Sequence, residues 1–211
     1  MTDLDAFARA SLDGYLALVR EHESTLTALD EQSGDGDFGH NLSHGLERAA
    51  SRAAGAPDSE VWRSLATAFL DEVGGTSGPL FGLLFQAIAR AADHASTPAE
   101  AIGNGSRDGL AAVQRVGEAQ VGDRTLVDAL QPAVDALAAE GDLDSAADAA
   151  CRGAADSARL RARMGRASYV GERAVGHPDP GAVGIAMLFV ACAQATGSEP
   201  PGAFGELTGS R

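Results

Sequence analysis

Three aspartates fall within eight residues of this chain. Asp30, Asp35 and Asp37 stand in the stretch Leu29-Asp30-Glu31-Gln32-Ser33-Gly34-Asp35-Gly36-Asp37-Phe38-Gly39-His40-Asn41, interleaved with Gly34, Gly36 and Gly39. Glycine tolerates positive φ, so such a loop can fold back until its carboxylates converge. Converging carboxylates repel one another unless a cation sits between them. Oxygen donors without sulfur suit a hard cation, Mg²⁺ or Ca²⁺. The EF-hand spacing is absent: counted from Asp35, the fifth position is Gly39 and the twelfth is Leu46, where a ligand glutamate belongs. Mg²⁺ is usually held by one or two carboxylates plus substrate phosphates. An ordinary Asp-Gly turn uses the same residue types, and the spacing alone leaves both readings open.

Three more polar, glycine-rich stretches could do chemistry. Gly74-Gly75-Thr76-Ser77-Gly78-Pro79 opens directly onto an apolar helix. Free amides at a helix N-terminus attract anions, and Thr76 and Ser77 add hydroxyl donors; a tight interhelical turn explains the same residues. Gly117-Glu118-Ala119-Gln120-Val121-Gly122-Asp123-Arg124-Thr125 is a second polar loop. The third runs from Gly165-Arg166-Ala167-Ser168-Tyr169 to Gly176-His177-Pro178-Asp179-Pro180-Gly181, and a loop of that length is functional or disordered in a compact domain. Arg166 follows Arg159, Arg161 and Arg163, so it reads either as a phosphate contact or as part of a solvated basic face. His177 reads as a loop-orienting residue rather than a catalytic one, and His22, His44 and His94 as surface residues.

The elements that must position these loops are helices. Alanine, leucine and arginine dominate and β-branched runs are scarce. Leu4, Phe7, Leu12, Tyr15, Leu16 and Val19 recur at helical spacing and predict a helix over 3–22. A short turn at 24–29 leads into the Asp loop. Further helices are predicted from Leu42 to Ala53, from a cap at Asp58 or Ser59 to Val73, after Pro79, and over 98–116, 125–139, 144–163 and 182–196. Gly103, Gly105 and Gly109 weaken the 98–116 helix, which suits close packing. The tail from Gly197 is rich in Gly, Pro and Ser and is expected to fray. The result is a single all-α domain over 1–211 of about eight helices, with 197–211 as a flexible tail. In an up-and-down bundle, loops two helices apart return to the same end. The loops near 34, 75, 120 and 175 can therefore share one end and build one site.

Bulk properties narrow the chemistry further. The net charge of −14 argues against nucleic acid or an anionic membrane as the main partner. All sixteen cationic residues are arginine, which excludes a P-loop, whose glycine-rich turn ends in lysine. Phosphate chemistry here must use arginine, backbone amides and metal. Cys151 and Cys192 sit in alanine-rich segments and read as small buried hydrophobes. The acidic N-terminus carries no signal-peptide pattern, and the most apolar stretch, Ala182–Ala195, is too short to span a bilayer. A cytoplasmic protein is expected.

Taken in order, the blocks Leu29-Asp30 with Gly34-Asp35-Gly36-Asp37, Gly74-Gly75-Thr76-Ser77-Gly78-Pro79, Gly122-Asp123-Arg124-Thr125 with Asp128-Ala129-Leu130, and Gly165-Arg166-Ala167-Ser168-Tyr169 with Gly171-Glu172-Arg173 and Gly176-His177 before Asp179-Pro180-Gly181 resemble the L subunit of dihydroxyacetone kinase. The resemblance covers roughly residues 1–196. It implies an eight-helix antiparallel barrel with ADP or ATP at one rim. It implies that Asp30, Asp35 and Asp37 hold two Mg²⁺ ions that bridge the nucleotide phosphates. Phe38, Gly39, His40, Asn41, Thr76 and Ser77 match phosphate-side positions. Gly117, Leu126, Arg166, Asp179, Pro180 and Gly181 match the remaining nucleotide contacts. Two positions depart from the family pattern: Phe38 stands where the family commonly has His, and Leu126 where it often has Met.

The function this implies is that of a phosphotransferase subunit. It passes a phosphoryl group from Mg-bound nucleotide to dihydroxyacetone held on a separate K subunit. A phosphotransferase-system M subunit charged by phosphoenolpyruvate recharges the nucleotide; free ATP is the other donor. Another keto-polyol, such as a tetrulose, is an alternative acceptor, and a nucleotide-dependent regulatory module is an alternative role. Homodimerisation is left open.

Overall fold

The computed structural model describes residues 3–165, 167–170 and 174–209. In chain order its helices are α1 (Asp3–Glu21), α2 (Glu23–Glu31), α3 (Phe38–Ala53), α4 (Val61–Asp71), α5 (Ser77–Ala92), α6 (Pro98–Gly117), α7 (Val127–Glu140), α8 (Leu143–Asp156), α9 (Ala167–Val170), α10 (Pro180–Gln194) and α11 (Gly202–Thr208). Single 3-10 turns lie at Asp58–Glu60 and Ser157–Arg159. The described residues contain no strand.

Eight of these helices have eleven residues or more: α1, α3 to α8, and α10. Each packs beside the next in this order, and α10 returns against α1, so the ring closes. The connections are short except between α1 and α3, where α2 intervenes, and between α8 and α10, where residues 157–179 intervene, and short connections between packed neighbours make them antiparallel. The expected eight-helix antiparallel barrel is therefore the observed architecture.

Amphipathic stripes build the ring, but α10 is different. Fourteen of its fifteen residues are buried, because it is apolar all round and is flanked by α1, α7 and α8. The buried Tyr15 hydroxyl on α1 donates to the Gly184 carbonyl of α10 at 2.9 Å and joins the two ends of the ring. An aromatic cluster, Phe69, Phe81 and Phe85, fills the floor between α4 and α5, with Phe69 and Phe85 edge-to-face at 5.0 Å. Among the described residues no helix is long and apolar enough to cross a membrane.

Glycines set the closest helix contacts. A Cβ on Gly105 would overlap the Ile88 Cα and lie 2.9 Å from its Cγ1; on Gly109 it would lie 2.6 Å from the Leu84 Cδ1. Close packing of α5 on α6 thus explains two of the three glycines inside α6, while Gly103 has room for a methyl. Gly153 of α8 lies against the Asp128 carbonyl, the acceptor that Pro132 leaves without its helical N–H partner. Gly105→Ala is expected to destabilise the fold by about 1–3 kcal/mol through overpacking. For a domain of this size that is a fall of about 2–12 °C in Tm, readable by thermal circular dichroism. Gly103→Ala serves as the control and should be neutral or slightly stabilising.

Three expectations are corrected. The tail does not fray through residue 209: it forms α11, with Phe204 buried against α8 and edge-on to the His22 ring at 5.7 Å. His22 is accordingly buried rather than at the surface. The 144–163 helix stops at Asp156, because the Ser157 hydroxyl turns back to the Ala154 carbonyl at 2.6 Å and accepts the Asp179 amide at 2.8 Å. That exchange ties the end of α8 to the start of α10.

Candidate functional site

The four polar loops do meet at one end of the ring. They line one cavity of about 530 Å³. Its wall includes Asp30, Asp35, Asp37, Phe38 and Asn41 from the first loop and α3, and Thr76 and Ser77 from the second. Gly117, Leu126, Asp179, Pro180 and Gly181 line it from the other side. Arg166 lies outside the described residues, although its neighbours Gly165 and Ala167 line the wall.

The Asp loop is held by its own first carboxylate. Asp30 Oδ2 accepts the Phe38 amide at 3.1 Å, and the Asp30 carbonyl takes the Ser33 and Gly34 amides. Gly36 turns the chain at φ +79, which leaves Asp35 and Asp37 exposed. Asp37 is the N-cap of α3, yet its carboxylate caps no amide of that helix. Among the described residues no three acidic, His or Cys side chains are gathered closely enough to hold a metal ion. The donor set still fits Mg²⁺, because that ion takes one or two carboxylates and completes its shell with phosphate and water.

Two of the named positions on α3 do not reach the cavity wall. Gly39 is buried against α2, where a Cβ would lie 2.5 Å from the Glu23 carbonyl oxygen and 2.6 Å from the Thr27 Oγ1. The His40 side chain points to solvent, 3.8 Å from Glu23 and stacked on His44. Phe38 turns its ring onto Phe81, with centroids 6.1 Å apart, and so joins the apolar floor of the cavity. An imidazole in its place would meet that same aromatic cluster.

On the second loop Gly75 adopts φ +78, and Thr76 stands as the N-cap of α5 without capping it through its side chain. Gly78 is pressed against the Val73 carbonyl, so the turn is also a tight interhelical one. The residues of this tight turn, Gly74 to Pro79, are also cavity-lining residues.

The third loop has an organiser that the sequence reading did not single out. Asp128, buried on α7, accepts the Gly122 amide at 2.6 Å and the Thr125 amide at 2.8 Å. Asp123 accepts the Gln120 amide at 2.8 Å, and its carbonyl takes the Arg163 amide at 3.1 Å. Between this loop and α10 lies Arg124, which is also buried and which the sequence reading quoted but gave no role. An Arg in a Gly-Asp-Arg-Thr turn looks like a surface residue; nothing in its spacing signals burial.

Asp179 caps α10 by accepting the Ala182 amide at 2.9 Å. Burial pushes its carboxyl up to about 6, against the lowering effect of the Ala182 amide and of Arg124. The carboxyl ionises more readily in the unfolded chain, so the stability it contributes is present below about pH 4 and lost as pH rises to about 6. Asp179→Asn keeps an acceptor for Ala182. It is expected to flatten the stability–pH curve over that interval by up to about 3 kcal/mol. Urea unfolding at pH 4 and pH 7 checks this, and an unchanged difference between the two would refute it.

Comparison with known proteins settles the family. The family model described as the DAK2 domain matches residues 32–194. The chain belongs to the DAK2 domain family. The match begins two residues after Asp30 and spans every other loop of the cavity. This DAK2 domain is 36% identical over 179 residues to the ADP-binding subunit DhaL of PEP-dependent dihydroxyacetone kinase 1 from Listeria innocua serovar 6a, covering 83% of this chain and 89% of that one. It is 37% identical over 194 residues to the L-erythrulose 1-kinase of Mycolicibacterium smegmatis, covering 86% of this chain and 34% of that enzyme. The crystal structure of the dihydroxyacetone kinase from C. freundii in complex with AMP-PNP and Mg²⁺ superposes with a TM-score of 0.72 at 30% identity, over 92% of this chain and 34% of that one. The domain thus spans about a third of the two larger kinases.

Proposed function

We propose that this DAK2 domain is the nucleotide-binding subunit of a dihydroxyacetone-type kinase, and that its cavity holds ADP or ATP with two Mg²⁺ ions. The observation that carries the reading is the convergence of all four polar loops on one cavity, whose lining combines the carboxylates of Asp30, Asp35 and Asp37 with the apolar side chains of Leu80, Val113, Leu126 and Met164. A volume of about 530 Å³ suits a small-molecule ligand. The apolar side takes the base and the carboxylate side the metal-bound phosphates.

Phosphoryl transfer needs positioning and charge stabilisation more than covalent help from the protein. When bound, Mg²⁺ neutralises charge on the phosphate oxygens. Asp30, Asp35 and Asp37 are the residues that would hold it, and of these Asp35 and Asp37 are exposed. The first-turn amides of α3 and α5 and the hydroxyls of Thr76 and Ser77 face the phosphates. Leu126, Asp179, Pro180 and Gly181 orient the opposite end of the nucleotide, and Arg166 joins them as a phosphate contact.

The acceptor is a small keto-polyol held on a separate K subunit. The Listeria relative supports recharging through a phosphoenolpyruvate-dependent protein, the M subunit of such a system. The mycobacterial relative supports a tetrulose as the alternative acceptor.

Isothermal titration of purified protein with Mg-ADP, with and without EDTA, tests the core of the proposal. Binding that is lost in EDTA and absent for adenosine alone is expected. Protein that shows no heat with Mg-ADP and releases no nucleotide on denaturation would overturn it. Phosphoryl transfer to dihydroxyacetone or erythrulose on added K subunit then separates the two acceptors.

A further inference from the structure

Arg124 is the largest fully buried side chain among the described residues. Arginine is almost never buried without full pairing. Here Nη2 donates to the His177 carbonyl at 2.9 Å and lies 3.5 Å from that of Pro178. Nη1 stands 3.9 Å from Asp179 Oδ2, outside hydrogen-bond range, and neither Nη1 nor Nε has an acceptor among the described residues. The Arg124 backbone is at φ +61, a region that residues with a Cβ seldom occupy. An incompletely paired buried cation on a strained backbone is the kind of outlier that collects at functional sites.

Its partners are consecutive. His177, Pro178 and Asp179 lead directly into the first turn of α10, so one guanidinium faces the whole approach to that helix. The chain after Arg124 forms the adjoining stretch of wall, with Thr125 and Leu126 lining the cavity. The two walls touch at Gly181, where a Cβ would lie 3.4 Å from the Leu126 Cβ. The guanidinium itself is shielded from solvent, so it acts through these residues.

We propose that Arg124 is a positioning residue: it clasps the segment carrying Asp179, Pro180 and Gly181 to the 118–126 loop and so sets the width of the cavity. The clasp itself rests on the geometry alone; its effect on affinity rests on the nucleotide reading above. The planar fork of arginine donates to two consecutive carbonyls while its other face stands beside a carboxylate, which a lysine ammonium on a single stem does not reproduce.

Hydrogen exchange read by mass spectrometry, together with Mg-ADP titration, tests the clasp. Arg124→Met keeps the apolar stem and removes the donors. Amides of residues 174–183 are expected to exchange roughly tenfold faster or more, while those of α5 and α6 stay as in the parent. Mg-ADP affinity is expected to fall about tenfold or more, as two charged hydrogen bonds are lost. Arg124→Lys keeps the charge and covers the case in which Arg124→Met does not fold. It should restore part of the affinity and part of the protection. Parent-like exchange over 174–183 in a folded variant, or parent-like affinity in either variant, overturns the clasp. A parent that binds no Mg-ADP while the variant still loses protection instead overturns the nucleotide reading and leaves the clasp standing.

Discussion

Asp35→Ala is expected to abolish retention of Mg-ADP and leave the helical fold unchanged. Asp35 sits exposed at the tip of the loop, next to Gly36 at φ +79, and outside the apolar core. Asp30 is a poorer test, because its carboxylate also holds the Phe38 amide that starts α3. Removing a metal ligand costs more than removing the groups that orient one, which alone lowers metal affinity about 10–100-fold. A loss of roughly a hundredfold or more is therefore expected for Asp35→Ala, visible by titration calorimetry. Far-ultraviolet circular dichroism and Tm without ligand should match the parent. A variant that binds Mg-ADP like the parent would show that the Asp loop holds no metal.

The second large effect is expected at Arg166. The chain has sixteen arginines and no lysine, so cations for a polyphosphate are few. Many of the arginines are engaged elsewhere: Arg9 with Asp58, Arg20 with Glu47, Arg48 and Arg52 with Glu72, and Arg63 with Glu60 and Asp93. Arg124 is buried in the cavity wall and donates to the His177 carbonyl. Arg166 stands between Gly165 and Ala167, which both line the cavity. A guanidinium fork binds two phosphate oxygens at once. Arg166→Ala is expected to weaken nucleotide binding by about 1.5–3 kcal/mol, or roughly tenfold to a hundredfold. Arg163→Ala is the internal control. Its side chain is 70% exposed and 3.5 Å from Asp123, a surface pair worth about 0–1 kcal/mol. Equal effects of the two substitutions in the same titration would show that Arg166 belongs to a solvated basic face.

Much of the site was legible because its signals are local. Glycines beside carboxylates mark loops, apolar residues at helical spacing mark the ring, and alternation of the two puts the loops at one end. Other parts were not legible, because they depend on what a residue meets. Gly39 reads as a loop glycine beside a phosphate, yet the space it leaves is filled by the Glu23 carbonyl and Thr27 of α2. His22 reads as a surface residue until α11 lays Phe204 across it. The Gly-, Pro- and Ser-rich composition after Gly197 forecasts a loose tail, yet the segment forms α11 with Phe204 buried.

The sequence by itself determined the helical class, the succession of about eight helices, the acidic glycine-rich loop and the need for arginine in place of lysine. These follow from residue type and spacing, which act within a few positions of the chain. Only the tertiary structure decided that Asp128 organises the third loop, that Asp179 sits where burial raises its carboxyl to about 6, and that Arg124 is enclosed between two loops more than fifty residues apart, Asp179 lying 55 positions beyond it. Burial and field depend on which distant segments close over a group, and that is a property of the packed ring rather than of any stretch within it.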